Sequence, residues 1–414
     1  MKYHKKIIAL DLDYNSRHRF VSLYPIFKKN NFQFKVIYDD KNFLEKEKEI
    51  QGLLIKNISS YPSKNFLKIL RIENPDLVIV LNMNILKLRS LNRFCKFLNI
   101  PIILLEHGVT SAGGLTNAKR FDARRALLKR YRRIIHGELL KEYFSYLRCL
   151  VDTRASYKDW FLFLIESLFK LIGRDVPSED WQYDGYCVFL ESDKNKLLLQ
   201  YQYLIDKNKI HVVGNYDLNI FNLEPKIFNS YNCDLKSNYI LYIDSDSVER
   251  TFYKNINMYL KYINNINDLI RQNGFKLYIK LHPNSLSKGL DNELEKLNIT
   301  SLKNEDLMPF INKTKYVISE PSSLSTIVCL TGITILTPTL KPFNSKRYGL
   351  IIDKYPNRIN FNSFDDLENI IQNNIHKSNK TKINNWIKEF AGPLPPSQFP
   401  NRVFKVIKNI LASK

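Results

Sequence analysis

Cysteine is scarce, odd in number and unpaired in spacing. The five residues, Cys95, Cys149, Cys187, Cys233 and Cys329, include no CxxC pair. That excludes a disulfide framework and a cysteine-built zinc site, and predicts reduced thiols in a cytosolic chain. Glycine and proline are also sparse, 13 and 16 in 414 residues, which excludes fibrous and linker-dominated designs. No uninterrupted apolar stretch reaches the ~18 residues of a transmembrane helix. The N-terminal apolar run breaks at Asp11, so it reads as a first strand and not as a signal peptide. Acidic residues are outnumbered 41 to 63 by Lys and Arg, a net charge of +22. Such an excess concerns partners rather than fold, and nucleic acid, anionic lipid and polyanionic substrates all fit it. Part of it accompanies a general richness in Lys and Asn. No RNP motif, zinc-finger spacing or Lys/Arg-rich tail is present, so nucleic acid is set aside.

What is there describes a folded α/β chain. A 44% hydrophobic content is enough for a core, and 414 residues exceed what one core usually supports, so two domains are expected. Short apolar runs alternate with helical spacing. Residues 6–10, 34–37, 76–81 and 102–105 read as strands, as do 186–190 and 211–214. Continuous apolar strands between helices imply a parallel sheet covered on both faces. The pattern resumes at 239–243, 276–280, 316–318 and 334–336. We expect an N-terminal domain over 1–222, a linker over 223–237, a second domain over 238–395 and a closing helical segment over 396–414. Residues 119–175 depart from the pattern. Eight of the fifteen positions from Lys119 to Arg133 are Lys or Arg, and an apolar stretch from Trp160 is broken by Glu166 and Lys170. The segment reads as an inserted helical pair packed on the sheet, with a basic face open either to solvent or to a membrane surface.

Ligands of doubly wound sheets bind beyond the carboxyl ends of strands, so the residues after each strand carry the candidates. Lys280 and His282 follow one strand, and Pro283 biases His282 away from helical geometry. Ammonium and imidazole both donate to phosphate oxygens. Glu320, Pro321, Ser322 and Ser323 follow another strand, where a serine pair opens a helix and can cap it or help hold an anion. Order strengthens the pair, because a His-Pro loop followed about forty residues on by a Ser-Ser helix start has the layout of a phosphate clamp. Glu106, His107 and Gly108 follow a strand of the first domain, where Glu106 or His107 can act as general base on an acceptor hydroxyl. Asp244, Ser245, Asp246 and Ser247 can cap a helix, offer Ser245 and Ser247 hydroxyls to a phosphate or, as the lesser reading, hold a divalent metal. Asp13 and Arg17 are placed on the acceptor side of the first domain.

Taken in this order, the motifs resemble bacterial GT-B transferases of capsule and lipopolysaccharide synthesis. The layout is similar to sialyl-, polysialyl- and Kdo-transferases, which use CMP-activated sugars, and more distantly to CDP-polyol transferases of teichoic-acid synthesis. The resemblance covers most of the chain in layout but only short motifs in identity. It implies a GT-B fold, two Rossmann-like doubly wound domains facing a central cleft. His282, Ser322 and Ser323 would contact the donor phosphate, and Glu106 would be the base. Several of those sialyltransferases carry an acidic-acidic-Gly motif where this chain has Glu106-His107-Gly108, which leaves the base open between Glu106 and His107. The resemblance further implies an inverting reaction without a metal or cofactor, and a surface-polysaccharide or lipid-linked acceptor. A cytoplasmic protein peripheral on the inner face of the plasma membrane is expected. The alternatives are CDP-polyol phosphotransfer, UDP- or GDP-sugar transfer, a nucleotide-sugar epimerase, and a non-catalytic basic protein bound to membrane or nucleic acid.

Overall fold

The computed structural model describes residues 5–41, 43–82, 85–106, 138–171, 179–201, 204–216, 218, 238–245, 253, 255–282, 285–286, 288–302, 307–320, 322–341, 343, 350–376 and 379–413. The short apolar runs do form strands. Leu77–Val80 and Ile102–Leu105 are buried at every position, as strands covered on both faces must be.

The described residues form two compact units. The described residues of unit 1 lie within 5–106, 138–216 and 397–413, and those of unit 2 within 218–396. The strands of unit 1 are β1 (Lys5–Asp11), β2 (Phe32–Tyr38), β3 (Glu47–Ile50), β4 (Leu53–Asn57), β5 (Leu77–Val80), β6 (Ile102–Leu105), β7 (Gly185–Val188) and β8 (Ile210–Val212). They make one sheet in the order β3-β4-β2-β1-β5-β6-β7-β8. Only the β3–β4 pair is antiparallel. That edge strand reads Glu-Lys-Glu-Ile, and its charges discourage pairing with another chain. The C-terminal helix Phe399–Ala412 also belongs to this unit. Phe404 packs edge-on against Phe27 and Phe32, and Arg402 Nε donates to the Val213 carbonyl at 2.6 Å. Gly185 makes room for it, since a Cβ there would lie 2.7 Å from Ile410 Cδ1.

The described part of the insertion is a helical hairpin, Glu138–Asp152 and Tyr157–Leu171. It packs on helix Leu86–Phe97 through Leu86, Tyr146, Leu150 and Phe163. A buried polar network fixes it there. Arg89 makes a two-pronged ion pair with Glu166, and both residues are at most 2% exposed. Arg93 reaches Asp159 at 2.9 Å, and Tyr146 donates to Asp180. The basic run 119–133 lies outside the described residues.

Unit 2 contains β9 (Tyr239–Ile243), β10 (Lys276–Lys280), β11 (Thr300–Leu302), β12 (Thr314–Ser319), β13 (Ile335–Pro338) and β14 (Arg358–Phe361). All pair in parallel, in the order β11-β10-β9-β12-β13-β14. The chain winds outward from β9 to one edge and then returns to lay β12 on its other side. The winding therefore reverses between β9 and β12, which makes their carboxyl ends the topological switch point. Helix Ile256–Gln272 covers the sheet. Asn255 caps it by accepting from the Met258 amide at 3.0 Å, and Tyr259, Ile263, Ile266 and Ile270 face the strands.

A second buried charge cluster ties the early part of unit 1 together. The Glu73 carboxylate, at the end of helix Phe66–Glu73, takes Lys35 of β2 at 2.7 Å, Lys6 of β1 at 2.7 Å and the Tyr61 hydroxyl. Burial alone would raise its pKa, but the hydrogen bonds from Lys35, Lys6 and Tyr61 outweigh burial and hold it at about 2 instead of 4.5. A depressed carboxylate stabilises the fold above its unfolded pKa, and that contribution fades as pH falls from about 4.5 through about 2. The melting-temperature gap between wild type and Glu73→Gln is expected to be widest at neutral pH and to close in acid. A gap of constant size down to pH of about 2 would show that the Glu73 charge contributes nothing.

Candidate functional site

Register brings three of the sequence motifs together in unit 2. Ile243 of β9 pairs with Lys280 of β10 on one side and with Ser319 of β12 on the other. The last residues of three neighbouring strands therefore stand in one row, about 10 Å across at the usual strand spacing. One residue further lie Leu281, Asp244 and Glu320. This row sits at the switch point, where doubly wound sheets hold their ligands.

Glu320 is fully buried. Its carboxylate accepts from the Ser245 amide at 2.8 Å, from the Ser245 hydroxyl at 2.8 Å and from the Tyr242 hydroxyl. Its own amide donates to the Ile243 carbonyl at 3.1 Å. A buried carboxylate is tolerated only when its lone pairs find donors, and here three are supplied. Glu320 thus ties the loop after β9 to the end of β12. Ser245 is equally buried, with its hydroxyl turned to Glu320. Around them sit the rings of Tyr242, Tyr259 and Tyr262. Burial first, and the nearby carboxylates second, push these phenols well above their ordinary pKa, so they stay neutral.

Asp244 plays the matching part on the other side. It is 2% exposed, and its carboxylate accepts from the His282 amide at 3.1 Å and the Ser285 hydroxyl at 2.6 Å. Its amide donates to the Lys280 carbonyl at 3.0 Å. The carboxylate therefore orients the loop that carries His282. Lys280 and His282 themselves are half-buried at the strand end. Among the described residues no group of His, Cys, Asp or Glu is arranged to hold a metal ion. Asp246, Ser247 and Pro283 lie outside the described residues.

Beyond Glu320, Ser322 caps the seven-residue helix Ser323–Cys329 by accepting from the Leu324 amide at 3.3 Å. It is half-buried; Pro321 and the side chain of Ser323 lie outside the described residues. Ser319 and Ser325 share a buried hydrogen bond beneath this turn, and Ser325 also donates to the Glu320 carbonyl at 3.1 Å. The anchoring roles of Tyr242, Ser285 and Ser325 escaped the sequence reading, because each is made by pairing across strands or turns. For Ser285 and Ser325 the linear trace was a hydroxyl residue five or six positions past a strand, whereas Tyr242 lies within β9 and reads as an ordinary strand residue.

In unit 1, Glu106 follows β6 and is half-buried. Its carboxylate accepts from the Phe189 amide at 2.7 Å, and its own amide donates to the Cys187 carbonyl at 2.9 Å. His107 and Gly108 lie outside the described residues. Asp13 is exposed, and Arg17 lies over the Tyr14 ring at 4.6 Å. The neighbouring Asp11 is buried at the end of β1. Burial pushes its carboxyl up to about 6, against the hydrogen bond that Ser16 donates.

No protein-family model matches the chain, and no curated protein matches it in sequence. Solved structures do. A variant of the wall teichoic acid polymerase TagF is similar at a TM-score of 0.56 and 11% identity, over 99% of this chain and 90% of that one. The glycotransferase of kitacinnamycin gives a TM-score of 0.54 at 8% identity, over 98% of this chain and 99% of its own. A Listeria monocytogenes protein described as a UDP-N-acetylglucosamine 2-epimerase gives 0.53 at 12%, over 100% of this chain and 98% of its own. At such identities the likeness is one of fold. The fold is the GT-B type that the family resemblance implied, two Rossmann-like parallel-sheet domains.

Glu320→Ala leaves the Ser245 amide and the Tyr242 hydroxyl buried without their acceptor. A loss of about 3 kcal/mol or more is expected in urea unfolding, since each orphaned buried donor costs ~1–3 kcal/mol. A change below about 1 kcal/mol would mean that the carboxylate does not hold this edge.

Proposed function

We propose that the chain is a glycosyltransferase whose nucleotide-linked donor binds at the carboxyl edge of unit 2. The observation that supports this best is the row formed by the ends of β10, β9 and β12 at the switch point, with Lys280 and His282 on one flank and Ser322 on the other. The two buried carboxylates beside them are occupied by protein donors, so the edge offers a phosphate the Lys280 and His282 side chains and the Ser322 turn. Ser323, Ser247 and Pro283 complete the donor contacts in this reading, and Gly108, Asp13 and Arg17 belong to the acceptor side. A CMP-linked acidic sugar is the favoured donor, and a surface polysaccharide or lipid-linked glycan the favoured acceptor.

The chemistry is a displacement at the anomeric carbon. The acceptor hydroxyl attacks, the bond from that carbon to the phosphate oxygen breaks, and configuration inverts. Glu106 or His107 takes the hydroxyl proton. Lys280 and His282 donate to the departing phosphate, where negative charge grows in the transition state. No metal is needed in this scheme, because protein cations face the leaving group.

Two readings share the fold. Likeness to TagF favours CDP-linked polyol transfer as the second, in which the nucleotide is still held through its phosphates. Likeness to the epimerase structure favours turnover of a nucleotide sugar with no acceptor. A thermal-shift series with CMP, CDP, UDP and GDP separates the donor classes. A nucleotide at about 100 times its Kd is expected to stabilise the protein by ~2.7 kcal/mol. His282→Ala is expected to remove that shift and to abolish transfer while melting like wild type without ligand. Wild-type turnover in this variant would remove His282 from the site, and sugar turnover without acceptor would favour the epimerase.

A further inference from the structure

Helix Tyr157–Leu171 carries apolar side chains that stand exposed among the described residues. Tyr157, Phe161, Leu164 and Leu168 are 95%, 63%, 59% and 65% exposed. Their spacing of four, three and four residues sets them in one stripe about 60° wide and roughly 16 Å long. The rotation of the helix is fixed from the opposite side. There Phe163 stacks on Tyr146 at 4.9 Å, and Glu166 is locked in its buried ion pair with Arg89. The stripe is therefore presented by the fold and is not a loose surface.

Charge is sorted in the same way. The acids of this helix turn inward, Asp159 onto Arg93 and Glu166 onto Arg89. Among its described side chains the exposed ones are Tyr157, Lys158, Phe161, Leu164 and Leu168, which include no carboxylate. Arg154 is exposed in the turn before it, and Phe144, Arg148 and Val151 are exposed on the neighbouring helix. The chain as a whole carries +22. An apolar stripe flanked by cations is the pattern of a helix lying in a bilayer interface.

We propose that this face docks the protein on an anionic lipid bilayer, with Phe161, Leu164 and Leu168 entering the boundary between headgroups and acyl chains. The inference stands on the stripe and its flanking cations and is independent of the glycosyl-transfer reading. It is tested by sedimenting the full-length protein with phosphatidylcholine vesicles, with and without phosphatidylglycerol. Wild type is expected to pellet with the anionic vesicles and to stay in solution with the neutral ones. The double variant Phe161→Ser, Leu164→Ser is expected to partition roughly tenfold or more weakly, at an unchanged melting temperature. The exchanged pair Phe161→Leu, Leu164→Phe keeps the apolar surface and is expected to pellet like wild type. Wild type that stays in solution with anionic vesicles overturns the proposal, as does a serine variant that pellets undiminished. Equal pelleting with neutral vesicles overturns the anionic preference. A dimer in analytical ultracentrifugation that the serine variant abolishes, with no vesicle binding, assigns the face to a second copy instead.

Discussion

A carboxylate with no solvent exposure holds the carboxyl edge of unit 2 in shape. Burying the Glu320 charge is costly unless donors replace its water, and Ser245 and Tyr242 do so. The same contacts bind the loop after β9 to the end of β12. Asp244 repeats the device toward β10 through the His282 amide and Ser285. Two strand ends that would otherwise carry free loops are thereby set against a third. These ties help set the positions of the His282 loop and the Ser322 turn, together with the backbone bonds from the Leu286 amide to the His282 carbonyl and from the Ser325 amide to the Ser322 carbonyl.

Unit 1 uses buried charge for a related purpose. Glu73 joins β1, β2 and the Tyr61 segment, and Arg89 with Glu166 joins the helical hairpin to helix Leu86–Phe97. Such pairs add less to stability than their contacts suggest, because desolvation offsets much of the attraction. Their value lies in geometry. Glu166 can meet Arg89 only if its helix takes one rotation, and that rotation turns Phe161 and Leu164 outward. One buried ion pair thus decides which face of the hairpin the protein displays.

Solved structures similar to this chain are named for different reactions on one fold, a glycotransferase and a UDP-N-acetylglucosamine 2-epimerase among them. Fold therefore narrows the chemistry without choosing it, and the choice falls to side chains at the strand ends. Among those, Lys280, His282 and Ser322 are half-buried at the edge of unit 2, whereas Glu320, Asp244 and Ser245 are interior. This division separates side chains that reach the surface of the edge from side chains enclosed beneath it.

Much of the architecture was legible in the linear pattern. Apolar runs such as Leu77–Val80 and Ile102–Leu105 announce buried parallel strands, because backbone hydrogen bonding and burial on both faces act on residues a few positions apart. The motifs after β10 and β12 were visible for the same reason, as polar residues placed where a strand stops. Their partnership was not visible. Asp244, Ser245 and Glu320 had the look of ligand contacts, and the structure gives all three internal bonds. Those bonds depend on which residue of β9 stands beside which residue of β10 and β12, and register is set by packing between strands distant in sequence. By itself the sequence determined the two doubly wound sheets and the strand ends that carry polar groups. Only the tertiary structure decided which of those groups face inward, because that depends on long-range pairing, which no local periodicity encodes.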